Sequence, residues 1–269
     1  MKLVTYLLIL CVTLLISCSP FPGIVPEEIT AGYGIETVGD LTIYSLDSHA
    51  ITIVKIPELS SLTFFRQPGK SLAEIAADSN FTLAVNGSYF DYESPRPVSR
   101  ADLVFTHAGY LRIQDSVYAD MMEGEKQLST LFTYDFQNDS AGYFKLEQLD
   151  QTMKYDLVVQ TGPQIIRENV VQEEEIKNSI NGMGKHARTA FASVDGTEHY
   201  IIVKQKPLLQ AGIDLVELGQ VLLDTGFFKG NLNVVNLDGG SSTSLYIKGH
   251  PELSFHSGRE ILPILLCVK

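Results

Sequence analysis

The sequence predicts an α+β fold: a mixed, largely antiparallel sheet core with a few packed helices, forming a single domain over residues 31–269. Three observations predict it. Short runs rich in Ile and Val recur along the chain, whereas capped stretches with helical spacing are few. Two of those few, beginning at Ser71 and Asp214, lead into apolar strands that end in a polar residue followed by glycine. Of the 269 residues, 45% are hydrophobic and 19% are charged, an ordinary globular balance with enough length to bury a sizeable core.

At the N-terminus, Met1 and Lys2 precede an apolar run from Leu3 to Ile16. A helix that crosses a bilayer needs about 20 such residues, so the run reads as the centre of an export signal. It ends in Leu15-Ile16-Ser17-Cys18, which resembles a bacterial lipobox. Residues 1–17 are then a lipoprotein signal peptide, and Cys18 is the lipidated residue that contacts the membrane. Two acyl signals on one residue anchor stably where one does not. The Pro-rich stretch 18–30 reads as a tether, which places the domain on the exported side of a bacterial cell envelope. Cys11 leaves with the signal and Cys18 is modified, so only Cys267 of the three cysteines remains and no internal disulfide is expected. Its apolar surroundings, Ile261 to Val268, suit a buried, inert thiol. A formal net charge of -12 carries no electrostatic footprint for nucleic acid, and that class of partner is set aside.

Within the domain, Thr42 to Ile56 alternates and predicts one or two strands. Ser71-Leu72-Ala73-Glu74 is a capping box that opens a short helix, with Leu72, Ile75 and Ala76 on its apolar face. The strand Phe81 to Val85 follows and ends in Asn86-Gly87. Asp115 to Tyr155 is less patterned, and strands are expected near Leu157–Val159, Ala190–Val194 and Tyr200–Val203. Glu173-Glu174-Glu175 reads as a solvated face. Asp214 caps a second helix with the stripe Leu215, Leu218 and Leu222, stopping near Gly226. The strand Leu232 to Leu237 then ends in Asp238-Gly239-Gly240. Both strands carry few charges, which predicts central positions covered on two faces.

Four segments concentrate the polar chemistry: Asn86-Gly87-Ser88-Tyr89-Phe90-Asp91, Thr161-Gly162-Pro163, His186-Ala187-Arg188-Thr189-Ala190, and Asn236 to Thr243. Taken singly each is a turn, since Asn-Gly, Asp-Gly and Gly-Pro are ordinary punctuation between apolar runs. Their order and spacing resemble the phosphodiester glycosidase family. That family includes the uncovering enzyme that removes N-acetylglucosamine from mannose phosphate, and bacterial relatives linked to exopolysaccharide biosynthesis. The resemblance runs from about Leu41 to the C-terminus and is most specific in Asn-Leu-Asp-Gly-Gly-Ser-Ser, residues 236–242.

The resemblance implies an exported hydrolase that cleaves a sugar-1-phosphodiester of a cell-surface or exopolysaccharide glycan. Such a bond breaks at an anomeric carbon through an oxocarbenium-like state. The departing phosphate ester ionises near about 6, so it leaves without a strong acid. The site then needs a carboxylate to activate water or attack carbon, and cations to hold phosphate. Asp238 is assigned as that carboxylate, with Asp91 as a second, and the two are exchangeable on sequence alone. Arg188 is the expected bidentate phosphate clamp, and Asn86 is expected to orient sugar hydroxyls or water. Gly87, Tyr89, Phe90, Gly162, Lys185, His186 and Thr189 complete the expected substrate-binding set, with Lys185 and His186 adding positive charge. The amides of Gly239, Gly240 and Ser241 are expected to form an anion nest. Core packing is the better reading for Phe90. No cofactor is expected, although Asp238, Asn236 and Asp91 carry the oxygen donors that a hard cation such as Ca²⁺ takes. The competing reading on the same fold is a non-catalytic glycan-binding or polysaccharide-assembly lipoprotein. No Gly-x-Ser-x-Gly elbow, phosphate loop or His-x-x-x-His spacing appears, so serine-triad, nucleotide and zinc chemistries are disfavoured.

Overall fold

The computed structural model describes residues 34–57, 62–65, 70–92, 105–206, 211–259 and 265–268. The expected signal peptide, Cys18 and the tether lie outside them. The first strands are β1 (Gly34–Val38), β2 (Leu41–Leu46), β3 (Ile51–Ile56) and β4 (Leu62–Phe65), followed by helix α1 (Leu72–Ser79). Next come β5 (Leu83–Asn86), β6 (Phe90–Tyr92), β7 (Phe105–His107), β8 (Leu111–Ile113) and β9 (Ser116–Ala119). The middle of the chain supplies β10 (Thr130–Asp135), β11 (Ser140–Lys145), β12 (Leu157–Thr161), β13 (Gln164–Arg167) and β14 (Val170–Val171). Helix α2 (Glu173–Asn178) precedes β15 (Arg188–Val194) and β16 (Glu198–Lys204). Helix α3 (Leu215–Asp224) then leads to β17 (Leu232–Asn236), β18 (Ser244–Ile247), β19 (Phe255–His256) and β20 (Leu265–Val268).

Among the described residues an eight-stranded sheet runs β1-β2-β3-β16-β15-β17-β13-β14, with every pairing antiparallel. Two five-stranded sheets run β11-β10-β12-β8-β9 and β19-β18-β5-β20-β4. The expected α+β class is present, and β5 and β17 both sit inside their sheets. The stretch 115–155, which shows little pattern in sequence, holds β9 to β11. Its strands mix inward and outward polar residues such as Thr133 and Ser140, which blurs the two-residue period.

Strand alternation divides the core into layers. Phe191 of β15 points to a central core shared with Phe132, Val159, Leu83, Leu245 and Leu266, which joins all three large sheets. Its neighbours Ala190, Ala192 and Val194 face the other way, onto Leu215, Leu218 and Leu222 of α3 and Ile176 of α2. Helix α1 covers the outer face of the β5 sheet, burying Leu72, Ile75 and Ala76 against Ala84 and Cys267. Burial pushes the Cys267 thiol up to about 12, as suits an inert core cysteine.

The caps form as the sequence implies. Ser71 Oγ accepts from the Glu74 amide at 3.2 Å while Glu74 returns a bond to the Ser71 amide at 2.7 Å. Asp214 accepts from the Glu217 amide at 2.8 Å. The acidic run at 173–175 departs from expectation at Glu175. That carboxylate is half-buried and accepts from Ser129 Oγ at 2.8 Å and from the Gln164 amide at 3.2 Å. It pins α2 to the strands beneath, a role that a run of three identical residues conceals.

Phe191 and Phe132 meet with ring centroids 4.6 Å apart at the centre of this core. Phe191→Ala is expected to cost about 3–5 kcal/mol in urea unfolding, since the three sheets cannot collapse on the void together.

Candidate functional site

The ends of the three large sheets meet at one junction, held by two asparagines. Asn86 closes β5 and is buried. Its Oδ1 accepts from the Thr189 hydroxyl at 2.6 Å and the Ser244 amide at 3.1 Å, and its Nδ2 donates to the Asp238 carbonyl at 2.6 Å. The Asp238 amide donates in turn to the Gly87 carbonyl at 3.0 Å. Asn236, at the end of β17, accepts on its backbone carbonyl from the Gly162 amide at 3.1 Å and from Thr161 Oγ1 at 2.9 Å. Its side-chain amide donates to the Tyr89 hydroxyl at 2.6 Å, and that hydroxyl donates to the Gly162 carbonyl at 3.0 Å. At Gly162, with φ +128°, a side chain would be strained and would crowd Ser129 and Thr130.

A cavity of about 400 Å³ opens at this junction. Tyr89, His186, Arg188 and Asp238 line it together with residues 239–241. Gln127, Pro163, Ile180, Asn181 and Leu215 complete the wall. The other expected residues stand elsewhere. Asn86, Gly87, Gly162 and Thr189 form the framework beneath the cavity rather than its surface. Phe90 packs against the α1 cluster with the Arg259 guanidinium 5.5 Å from its ring centroid. Asp91 is exposed on β6, where it pairs with Thr106, and does not line the cavity. Lys185 is exposed and ion-paired with Asp214 at 3.1 Å and with Glu217, its charge already committed. Of the three oxygen donors considered for a hard cation, only Asp238 reaches the cavity wall. Among the described residues the one cluster with metal-ligand geometry, Glu36, His250 and Glu252, has its members paired with each other and lines none of this cavity.

Burial pushes the Asp238 carboxyl up from 3.8 to about 6, although Ser242, the Gly239 amide and the charge of Arg259 favour its ionised form. Tyr89 is buried beside Asp238, and both effects hold its phenol above the usual range, so it stays protonated. The charge of Arg188 opposes this shift but does not outweigh it.

Arg188 departs from the expected fork. In β15 its side chain faces opposite to Thr189 and enters the loops flanking α2 and α3. Nη2 donates to the carbonyls of Asn181 at 2.7 Å and Gly184 at 2.6 Å, and Nε donates to the Ile213 carbonyl at 3.1 Å. Nη1 alone makes no hydrogen bond among the described residues. Three donors therefore hold the cavity wall and one nitrogen is left for a ligand, so recognition through two nitrogens is not available. The anion nest is likewise reduced. The Gly239 amide donates to Asp238 Oδ1 at 2.8 Å and the Gly240 amide to the Ala187 carbonyl at 2.9 Å, leaving the Ser241 amide without a bond among the described residues. His186 does not add positive charge: burial, and then the cations Arg188 and Lys206, depress its titration.

Sequence reasoning passed over Gln127, Ile180 and Asn181. They lie in loops without periodicity, and the only nearby signal is the pair Gly182 and Gly184 around Met183. Gln127 Oε1 is buried with no hydrogen-bond partner among the described residues, a mark of a polar wall rather than a packed one. Arg259 also reaches the site from the far end of the chain. Its Nε donates to Ser241 Oγ at 3.1 Å, and its charge acts on Asp238.

A family model described as phosphodiester glycosidase matches residues 79–265 of the chain. The catalytic domain of zebrafish N-acetylglucosamine-1-phosphodiester alpha-N-acetylglucosaminidase, auto-inhibited by its pro-peptide, superimposes with a TM-score of 0.56 at 16% identity. That match covers 88% of this chain and 81% of the zebrafish chain. A hypothetical protein from Synechocystis superimposes with a TM-score of 0.57 at 13% identity, covering 88% of this chain and 61% of the other. At these identities the structures share a fold. No curated protein sequence is significantly similar to this chain.

Asn86→Ala strands a buried hydroxyl, a buried amide and a carbonyl together. It is expected to lower unfolding free energy by about 2–4 kcal/mol, read from denaturant melts. Arg188→Lys keeps the charge but abandons at least two of three carbonyls, so thermal stability is expected to fall along with ligand binding; an unchanged melting temperature would contradict the wall-holding role.

Proposed function

Because the chain belongs to the phosphodiester glycosidase family, we propose that it hydrolyses a sugar-1-phosphodiester in the cavity between Asp238 and Arg188. The observation that carries this reading is the enclosure in one pocket of a carboxylate shifted toward neutrality and an arginine nitrogen with no hydrogen-bond partner among the described residues. The zebrafish enzyme is named for N-acetylglucosamine-1-phosphodiester, and a hexose-1-phosphate linked to a second alcohol is the substrate class that this cavity suits. Asp238 faces the anomeric carbon and opposes the positive charge that grows there as the bond lengthens. Arg188 Nη1 and the Ser241 amide hold the phosphate, which departs as a stable anion. Tyr89, protonated and fixed between Asn236 and Gly162, presents its ring to the sugar. We further propose that the enzyme is exported, anchored by lipid at Cys18, and acts on a glycan of the cell surface or exopolysaccharide. The lipobox-like Leu15 to Cys18 supports this placement.

Turnover of sugar-1-phosphodiesters with differing hexoses tests the reading directly. The protein is expected to release phosphomonoester from at least one of them, and no release from any would overturn the assignment. Asp238→Asn is expected to lose at least about 1000-fold in kcat/KM. For the wild type, kcat/KM is expected to fall with acid below a midpoint near 6, as the Asp238 carboxylate is protonated. The same shift has a stability consequence of opposite sense. The folded pKa lies above the unfolded value of 3.8, so the folded state binds the proton more tightly and loses stability as pH rises through this window. Asp238→Asn is therefore expected to be more stable than wild type by about 1–3 kcal/mol above pH 7 and to gain almost nothing near pH 4.

A further inference from the structure

His186 has a place built for it that packing alone does not explain. Its ring lines the cavity, and neither ring nitrogen makes a hydrogen bond among the described residues. A Cβ on Gly184 would stand 2.4 Å from His186 Nε2, although Gly184 does not have the positive φ that demands glycine. A Cβ on Gly212 would stand 2.4 Å from the His186 amide. The two missing side chains leave room for the ring and its backbone. Its backbone is clamped on both sides, with its amide donating to the Ile213 carbonyl at 3.2 Å and its carbonyl accepting from the Ile213 amide at 2.9 Å. Two residues on, Arg188 carries the nitrogen assigned to phosphate. His186 therefore stands on the leaving-group side of the proposed substrate.

Among the described residues the cavity wall holds four ionisable side chains, and two of them are excluded from proton transfer near neutral pH. Tyr89 keeps its proton, and Arg188 is a cation committed to three carbonyls. Asp91, the expected second carboxylate, lies outside the cavity. With Asp238 as the one carboxylate of the wall among the described residues, a group is still needed to take the proton of water.

Resting on the proposed phosphodiester hydrolysis, we propose that Asp238 is the nucleophile and His186 the base of a two-step reaction that retains anomeric configuration. In the first step an Asp238 carboxylate oxygen forms a bond to the anomeric carbon. The bond from that carbon to the phosphate oxygen breaks, and its electron pair leaves with the phosphomonoester, which requires no proton. In the second step water enters the space beside Arg188 that the phosphate vacated and attacks the anomeric carbon. The ester bond electrons return to Asp238, and the water proton passes to a ring nitrogen of His186 and then to solvent. The imidazole is neutral when needed, because burial and the charges of Arg188 and Lys206 oppose its protonation. Asp238 is shifted upward by burial, against the opposing effects of Ser242, the Gly239 amide and Arg259.

The experiment uses His186→Gln in the intact protein, assayed on the best sugar-1-phosphodiester of the wild-type screen, with and without sodium azide. Steady-state kcat is expected to fall about 100-fold or more with a rapid first release of one phosphomonoester per protein. Intact-protein mass should show the glycosyl adduct, lost in Asp238→Asn. Azide needs no base, so it should restore turnover and yield a glycosyl azide of retained configuration. Gly184→Ala, which displaces the ring while leaving it in the chain, is expected to show the same burst and rescue. Turnover of His186→Gln within threefold of wild type, or an inverted first product from wild type, would overturn this assignment while leaving the hydrolase reading intact. Failure of wild type on every phosphodiester would overturn both.

Discussion

The site depends on the buried Asn86 side chain. One amide group satisfies the Thr189 hydroxyl, the Ser244 amide and the Asp238 carbonyl, and so binds β5 to β15, to β18 and to the turn after β17. Sheets pack face to face through apolar side chains, which resist separation but set relative position weakly. Directed bonds to a buried amide set it closely, because an unmade bond there costs free energy. Asn236 makes the matching joint to β12 through Thr161 and Gly162. Between the two joints the Asp238 carboxyl has little freedom to drift from Arg188.

The electrostatics follow from that enclosure. A carboxylate removed from water becomes a weaker acid, and hydrogen bonds such as that from the Gly239 amide help to hold its position. Arg188 spends most of its donors on carbonyls of the loops after α2 and before α3, so the cation is also a tie for the wall that it helps to form. A single nitrogen without a hydrogen bond among the described residues suits a diester, which bears one negative charge, better than the dianionic ester left after cleavage. The overall acidity of the chain, -12, adds a field that helps the anionic product depart.

Elements with local causes were legible in the sequence. The Ser71 and Asp214 caps, the apolar stripes behind them and the interior strands β5 and β17 all follow from short-range rules. The site was legible as four segments but not as roles. Asn86, Gly87, Gly162 and Thr189 stand in its motifs and support the cavity from below, because spacing does not reveal which polar side chains point inward. Arg188 and Thr189 are neighbours whose side chains part company across the sheet, a fact that depends on pairing with β17 and β16. Asp91, at the end of the first motif, faces solvent, and Lys185 is paired with acids presented by α3. Gln127 and Asn181 reach the cavity from loops whose path is set by tertiary contacts, so no local pattern announces them.

The account rests on one arrangement: a sugar whose anomeric carbon meets Asp238 while its phosphate rests on Arg188. A crystal structure with a non-hydrolysable sugar-1-phosphonate ester measures it most directly. The account predicts the phosphonate within hydrogen-bond distance of Arg188 Nη1 and the Ser241 amide, with an Asp238 oxygen in van der Waals contact with the anomeric carbon. A ligand bound with its anomeric carbon turned away from Asp238, or outside this cavity, would contradict it.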